Sequence, residues 1–201
     1  MAPADRALFE VRPEVLAPRL LGWRLSAGGV VGRIVEVEAY GGADDPASHA
    51  FGGPSARNAS MFGPAGHLYV YLIYGMHLCA NVVCRPPGVG AAVLIRAVEV
   101  VDGLDTAMAA RGPEAARLGV GDGPAKLCQA LGIGRQHDGV DLLDPGAAVR
   151  LLHPDSLSGS VDLPLCDGPR VGISVATERR WRFAIDGDPN VSRPRSLTSV
   201  R

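Results

Sequence analysis

Lysine is nearly missing from this chain: Lys126 stands alone against 19 arginines. A genome rich in G and C would produce that bias without any functional cause. It still narrows mechanism, because Schiff-base chemistry is then open only to Lys126 or the terminal amine. Cysteine is also sparse. Cys79, Cys84, Cys128 and Cys166 form no Cys-x-x-Cys pair, and no histidine spacing completes a zinc set. Reduced core cysteines are expected, with no metal and no cofactor. No apolar run is long enough to span a bilayer. The opening residues Met1 to Arg6 lack the apolar stretch of a signal peptide. The expectation is a cytoplasmic protein with no membrane partner.

What is present suits a globular domain. At 201 residues, 47% of them hydrophobic and 20% charged, the chain can bury a full core, and one domain over residues 1–201 is expected. A net charge of −1 excludes a uniformly basic nucleic-acid binder. Charge is uneven, however. From Arg170 to Arg201 seven arginines (170, 179, 180, 182, 193, 195, 201) face Glu178, Asp186 and Asp188, leaving +4 locally. That is either a solvated face with a loose tail or a surface that touches phosphates.

Periodicity and turn residues give the elements. Residues 14–21 read as a short helix interrupted by Pro18. Trp23–Leu25 and Val30–Ala39 flank Gly28-Gly29 as a hairpin. Residues 41–65 form a long irregular connection. Leu68–Ile73 and His77–Cys84 are strands around Tyr74-Gly75-Met76, and Ala91–Val100 is a third, largely buried one. Residues 102–111 read as a helix. So does Gly123–Gly132, with Pro124 in its first turn and a glycine at its end. Val149–Leu152, Arg170–Val175 and Trp181–Ile185 read as further strands. Strands without βαβ alternation imply an α+β fold.

All four tyrosines, Tyr40, Tyr69, Tyr71 and Tyr74, fall between positions 40 and 74. They sit just behind Glu36 and Glu38, which alternation places on one face of a strand with Tyr40, opposite Val35, Val37 and Ala39. Such a pair of acids is either salt-bridged or a source of general-base chemistry beside a planar ring. Tyr74 lies at a hairpin tip. There it either folds back on its own sheet or enters DNA as a wedge between bases. Lys126 in the first turn of a helix, beside free amides, is a candidate phosphate contact, although no Gly-x-x-x-x-Gly-Lys-Ser/Thr loop is present. His49 in the long loop reads, alone, as a structural histidine. Asn81 and Arg96 lie in apolar strands and must find partners in the fold or in a ligand.

Together these residues resemble the alkyladenine (3-methylpurine) DNA glycosylase family. The resemblance runs from Arg33-Ile34-Val35-Glu36-Val37-Glu38-Ala39-Tyr40 through Asp44–His49, Arg57-Asn58 and Met61-Phe62 to Leu68–Met76, its most specific segment. It continues with Asn81, Val93–Ala97 and Gly123–Leu131, and closes more weakly at Arg170–Ile173. It implies a single α+β domain with a curved antiparallel sheet and a few flanking helices. It also implies a monomeric, monofunctional enzyme of base-excision repair acting on duplex DNA. The implied reaction is hydrolysis of the N-glycosidic bond of 3-methyladenine, 7-methylguanine, hypoxanthine or ethenoadenine, leaving an abasic site. In a bacterium such an enzyme would associate with the nucleoid through DNA. By motif position Glu38 matches the general base, and Arg96 an arginine near the flipped nucleotide's phosphate and the attacking water. Tyr40 and His49 match one wall of the base pocket and Tyr71 the other. Tyr74 matches the wedge, and Asn81 the residue that disfavours the 2-amino group of guanine. The Pro/Gly-rich segment 85–90 departs from the pattern and could alter the pocket rim.

Two rival readings use the same residues. A non-catalytic module could bind damaged DNA or RNA on this scaffold, though binding alone gives no reason for a buried acid. A sugar hydrolase could use Glu36 and Glu38 as its carboxylate pair, since same-face neighbours sit roughly 6.6–7 Å apart at Cα. The wedge and the basic segment would then have no purpose.

Overall fold

The computed structural model describes residues 5–115, 119–154, 163–193 and 196–200. Among them, nine strands join in one antiparallel sheet: β1 (Arg24–Ala27), β2 (Val30–Tyr40), β3 (Leu68–Ile73), β4 (His77–Cys84), β5 (Ala91–Asp102), β6 (Val149–Leu152), β7 (Leu165–Gly168), β8 (Arg182–Ile185) and β9 (Thr198–Ser199). The order is β3-β4-β5-β2-β8-β7-β9, with β1 joining β2 to β6. Helices α1 (Pro13–Arg19), α2 (Leu104–Arg111) and α3 (Pro124–Ala130) complete an α+β fold.

The local chemistry explains the ends of these elements. Gly28 and Gly29 both take positive φ, the geometry a two-residue hairpin needs, and Ala27 pairs with Val30 across it. Pro124 opens α3 where its missing N–H costs nothing. Helical residues Leu16, Ala17, Ala107, Leu127, Cys128 and Ala130 bury against one face of the sheet, in a core with Val35, Val37, Val93 and Ile95. The opposite face holds a smaller cluster of Ala50, Met61, Tyr69, Val83 and Ala92 beneath the long loop. That second face carries the site.

The central strands β2 and β5 change face together. Ile34 pairs with Val98 and Glu36 with Ala97, then Val37 pairs with Ile95, so the register is irregular on both sides of the Glu36–Ala97 pair. On β2 the helix-side core takes Val30 and Ile34, then Val35, Val37 and Ala39. On β5 it takes Val98, then Ala97, Ile95, Val93 and Ala91. Strict alternation from Ile34 would have driven Glu36 and Glu38 into the apolar core. The irregularity turns them, with Tyr40 and Arg96, to the other face.

One expectation is corrected. Arg170–Val175 is not a strand. Gly172 and Ala176 have positive φ, and the Val171 N–H is spent on a side chain instead of a ladder. The strand that pairs with β8 there is β7, whose Asp167 and Gly168 gave no β signal.

Candidate active site

A cavity of about 230 Å³ opens over β3, β4, β5 and β2. Tyr40, Tyr71, Asn81 and Arg96 line it from the sheet, and His49 from the long loop. Val171, Gly172 and Ile173 line it from the irregular segment, and Pro124 from the start of α3. One cross-strand row, Tyr69–Asn81–Leu94–Glu38–Arg182, runs through it. Glu38, Tyr40, His49, Tyr71, Asn81 and Arg96 are thus brought together from positions 38 to 96.

Glu38 is fully buried and lies behind three wall residues that it contacts. Its Oε1 accepts from the Val171 N–H at 2.7 Å and faces Arg96 Nη1 at 3.3 Å; its Oε2 accepts from the Tyr40 hydroxyl at 2.9 Å. Burial raises its pKa above the ordinary carboxylate range, although Arg96 and the two hydrogen bonds work against it. Tyr40 is pushed far up by burial and by Glu38, so its hydroxyl stays a donor.

Glu36 has a different fate. Its Oε1 accepts from Arg96 Nε (3.0 Å), Arg182 Nε (2.6 Å) and the Ser192 hydroxyl (3.0 Å), and its Oε2 accepts from the Ser192 N–H (2.6 Å). It is as buried as Glu38, but three donors crowd its Oε1 and a backbone N–H takes its Oε2, and its side-chain partners Arg182 and Ser192 lie outside the cavity wall. The two acids are therefore not an equivalent catalytic pair, and the sugar-hydrolase reading loses its second carboxylate.

The aromatic walls are held by polar tips. His49 Nδ1 lies 3.1 Å from the Tyr69 hydroxyl, and its ring meets the Tyr71 ring edge-on, centroids 4.4 Å apart. Burial, with Arg57 nearby, lowers the His49 pKa below its ordinary value, so the ring is neutral near pH 7. Tyr69 is pushed up to about 12 by burial. The Asn81 Nδ2 donates to the carbonyls of Tyr69 (3.0 Å) and Cys79 (3.4 Å). Two carbonyl neighbours fix which end of that amide is nitrogen.

Sequence reasoning missed the clamp that closes the site. Arg170 donates to both oxygens of Asp45, at 2.6 and 2.8 Å, and to the Ala39 carbonyl at 3.0 Å. Both side chains are fully buried. The guanidinium carbon also sits 4.7 Å from the centroid of the Tyr40 ring, backing it from outside. Asp45 lies inside the Asp44–His49 motif and Arg170 opens the weak closing motif, so both were visible as letters but not as a pair.

Tyr74 is 82% exposed at the β3–β4 tip and did not fold back on its sheet. It has φ +53 beside Gly75 at φ +71, in a turn closed by the Met76 N–H on the Ile73 carbonyl. Lys126 pairs with Asp122 at 2.9 Å, so its charge is partly offset. The basic C-terminal segment is largely paired within the protein. Arg170 holds Asp45, Arg182 holds Glu36 and Arg180 holds Asp167, while Arg179 stacks on Trp181. Arg195 and Arg201 lie outside the described residues. Arg193 is exposed and in no ion pair with another described residue, and further free positive charge lies elsewhere. A groove of about 750 Å³ shares His49, Tyr69 and Tyr71 with the cavity and is edged by Arg57 and Arg135. Both are exposed, and neither is ion-paired with another described residue. All four cysteines are free and buried. Among the described residues no cluster could hold a metal ion, and no helix is long and apolar enough to cross a membrane.

Residues 7–189 match the family model for methylpurine-DNA glycosylase (MPG). The chain belongs to that family. It is 48% identical over 194 residues to a Burkholderia lata protein named "Putative 3-methyladenine DNA glycosylase", covering 96% of this chain and 92% of that one. Proteins of the same name from Nocardia farcinica and Mycolicibacterium fortuitum are each 48% identical. The first match covers 90% of this chain and 87% of the relative, the second 90% and 92%. The chain is therefore a DNA glycosylase of base repair, a hydrolase that acts on DNA. This removes the reading as a purely binding module.

Proposed function

We propose that this glycosylase takes damaged purines (3-methyladenine, 7-methylguanine, hypoxanthine and ethenoadenine) out of duplex DNA into the tyrosine-lined cavity, where Glu38 activates water. The observation that carries the reading is Glu38 itself, a buried carboxylate with a raised pKa behind a wall of Tyr40, Arg96 and Val171.

A base inside a duplex cannot be attacked in its stack, so the nucleotide must be extruded at a cost of a few kcal/mol. Tyr74, exposed and held outward by its turn, is the group to fill the gap. Tyr40 and His49 would face one side of the extruded base and Tyr71 the other. A methylated purine carrying positive charge would gain ~1–2 kcal/mol from such rings once desolvated. That charge also makes it a good leaving group. Asn81, pinned to two carbonyls, cannot swing aside for the 2-amino group of guanine. Arg96 would meet the phosphate side of the flipped nucleotide and the water. Oε2 of Glu38 accepts one hydrogen bond, from Tyr40, and so has acceptor capacity for that water.

Lys126, the only lysine, is engaged by Asp122 and does not line the cavity, which favours hydrolysis over Schiff-base chemistry. Its proposed phosphate contact would have to share the ammonium with Asp122. Arg57 and Arg135 are the better-placed cations for the strand that enters the groove. The protein is proposed to act as a monomer, without a cofactor.

The test uses end-labelled duplexes carrying one hypoxanthine or one ethenoadenine, beside bulk methylated DNA, with alkali to reveal abasic sites. Wild type should release base, and Glu38→Gln should be about 10²–10⁴-fold slower while still binding lesion DNA. Substantial turnover by a folded Glu38→Gln protein would remove Glu38 as the base.

A further inference from the structure

Two buried carboxylates on this face meet arginines in opposite ways. Asp45 is gripped by both ends of the Arg170 guanidinium, at 2.6 and 2.8 Å. Burial works to raise its pKa, but that grip and two backbone N–H groups carry it below the ordinary value. Such a carboxylate is a poor base. Glu38 also has a buried arginine beside it, yet Arg96 reaches it through Nη1 alone, at 3.3 Å. The rest of that guanidinium is held elsewhere: Nε donates to Glu36 at 3.0 Å and Nη2 to the Ser192 hydroxyl at 3.2 Å. Glu36 is in turn fixed by Arg182 and by both the N–H and the hydroxyl of Ser192.

We infer that Glu36 is a positioning residue for the general base: with Ser192 it holds Arg96 back, so that one guanidinium is divided between two carboxylates and Glu38 keeps its basicity. The inference rests on the reading of Glu38 given above. It gives the bond network between β2, β5, β8 and the Val191–Ser192 segment a chemical purpose. A fully engaged Arg96 would turn Glu38 into a second Asp45.

The charged and titratable groups facing Glu38 are few. Arg96 on β5, Glu36 on β2 and Arg182, the cross-strand neighbour of Glu38 on β8, are the charges. Tyr40 on β2, Tyr71 on β3 and Cys79 on β4 are all pushed up by burial and stay neutral through the working range. Glu36 acts on Glu38 in two ways that agree in sign. Its negative charge raises the Glu38 pKa directly, and its hold on Arg96 weakens the cation that lowers it. Removing the charge of Glu36 should therefore lower the pKa of Glu38.

The experiment is the pH dependence of single-turnover excision, from pH 4 to 8, on the hypoxanthine duplex for wild type, Glu36→Gln and Glu36→Gln/Arg182→Met. The double variant removes one charge of each sign and so leaves no unpaired ion in the core. The acid limb, where Glu38 becomes protonated, should move to lower pH by on the order of one unit in Glu36→Gln, and in the same direction by less in the double variant, where the Arg182 cation beside Glu38 is lost as well. The plateau rate should fall as Glu38 becomes a weaker base. A merely structural role predicts a uniform loss of rate with the acid limb unmoved, and that result in either folded variant would overturn the inference. Failure of the parent reading looks different: Glu38→Gln would remain active, and the wild-type profile would lack the limb.

Discussion

Replacing Arg170 by Met should destabilise this enzyme although Arg170 does not line the cavity. Arg170 and Asp45 are both fully buried. Methionine fills much of the space but leaves the Asp45 carboxylate with the Gly41 and Ala47 N–H groups and a more distant Arg179 guanidinium, 3.9 Å away, as partners. Stranding one member of a buried pair costs about 3–5 kcal/mol. For a chain of this length that is a fall in Tm of roughly 6–20 °C. Urea and thermal unfolding would measure it. Asp45→Asn/Arg170→Met should recover most of the loss, because no unpaired charge then remains. The pH dependence has a definite sign. The Asp45 pKa is lowered in the folded state, so the pair's contribution is complete above the unfolded value of about 3.9 and is lost as pH falls through the folded value below it. The stability gap between wild type and Arg170→Met should be full at pH 7 and should close in the acid range. Excision should slow as well, because Val171, the neighbour of Arg170, donates to Glu38. A loss under about 1 kcal/mol would place the pair with surface ion pairs and refute the clamp.

Tyr74→Gly should leave thermal stability unchanged or raise it, since a tyrosine at φ +53 carries a left-handed penalty of roughly 1–2 kcal/mol that glycine avoids. The same variant should weaken binding to lesion duplex more than to lesion single strand in fluorescence titrations; an equal loss on both would count against the wedge. Arg57→Ala and Arg135→Ala should each weaken binding to damaged and undamaged duplex alike and reduce the slope of log K against log salt by about 1. A slope unchanged in both variants would remove the groove as the path of the strand.

Much of the fold was legible because its signals are local. Gly28-Gly29 named one hairpin. Pro124 and Gly132 bracketed α3, and strict alternation from Val35 to Tyr40 separated the acids from the core. Within that stretch the reading of faces was correct. What it could not contain was the cause: the paired irregularity at Val35 and Arg96 depends on two strands about 60 residues apart. The Asp45–Arg170 clamp spans 125 residues and has no periodic signature. Charge counting left two readings open for the same reason: sequence cannot show that Arg170 and Arg182 turn inward to carboxylates while Arg57 and Arg135 have no ion pair among the described residues. The segment after Arg170 read as a strand on composition, yet Gly172 and its neighbours use their backbone as part of the cavity wall.

The change of face in β2 and β5 divides each strand into two modules with different tolerances. Below the crossover, Arg33 and Glu99 pair on the solvent side, and changes there should be felt as folding energy alone. Above it the same side of the same strands carries the acid and its arginine, and changes should be felt as rate. The boundary is a residue count. Deleting Val35 alone would restore plain alternation on β2, with Ile34 under the helices and Glu36, Glu38 and Tyr40 still on the cavity side, but it would leave the extra residue Arg96 on β5 unmatched, so a matched deletion on β5 is needed to keep the strands in step. The lengths of two strands are thus tied to each other by chemistry, and insertions or deletions could survive in this pair only when they come in twos.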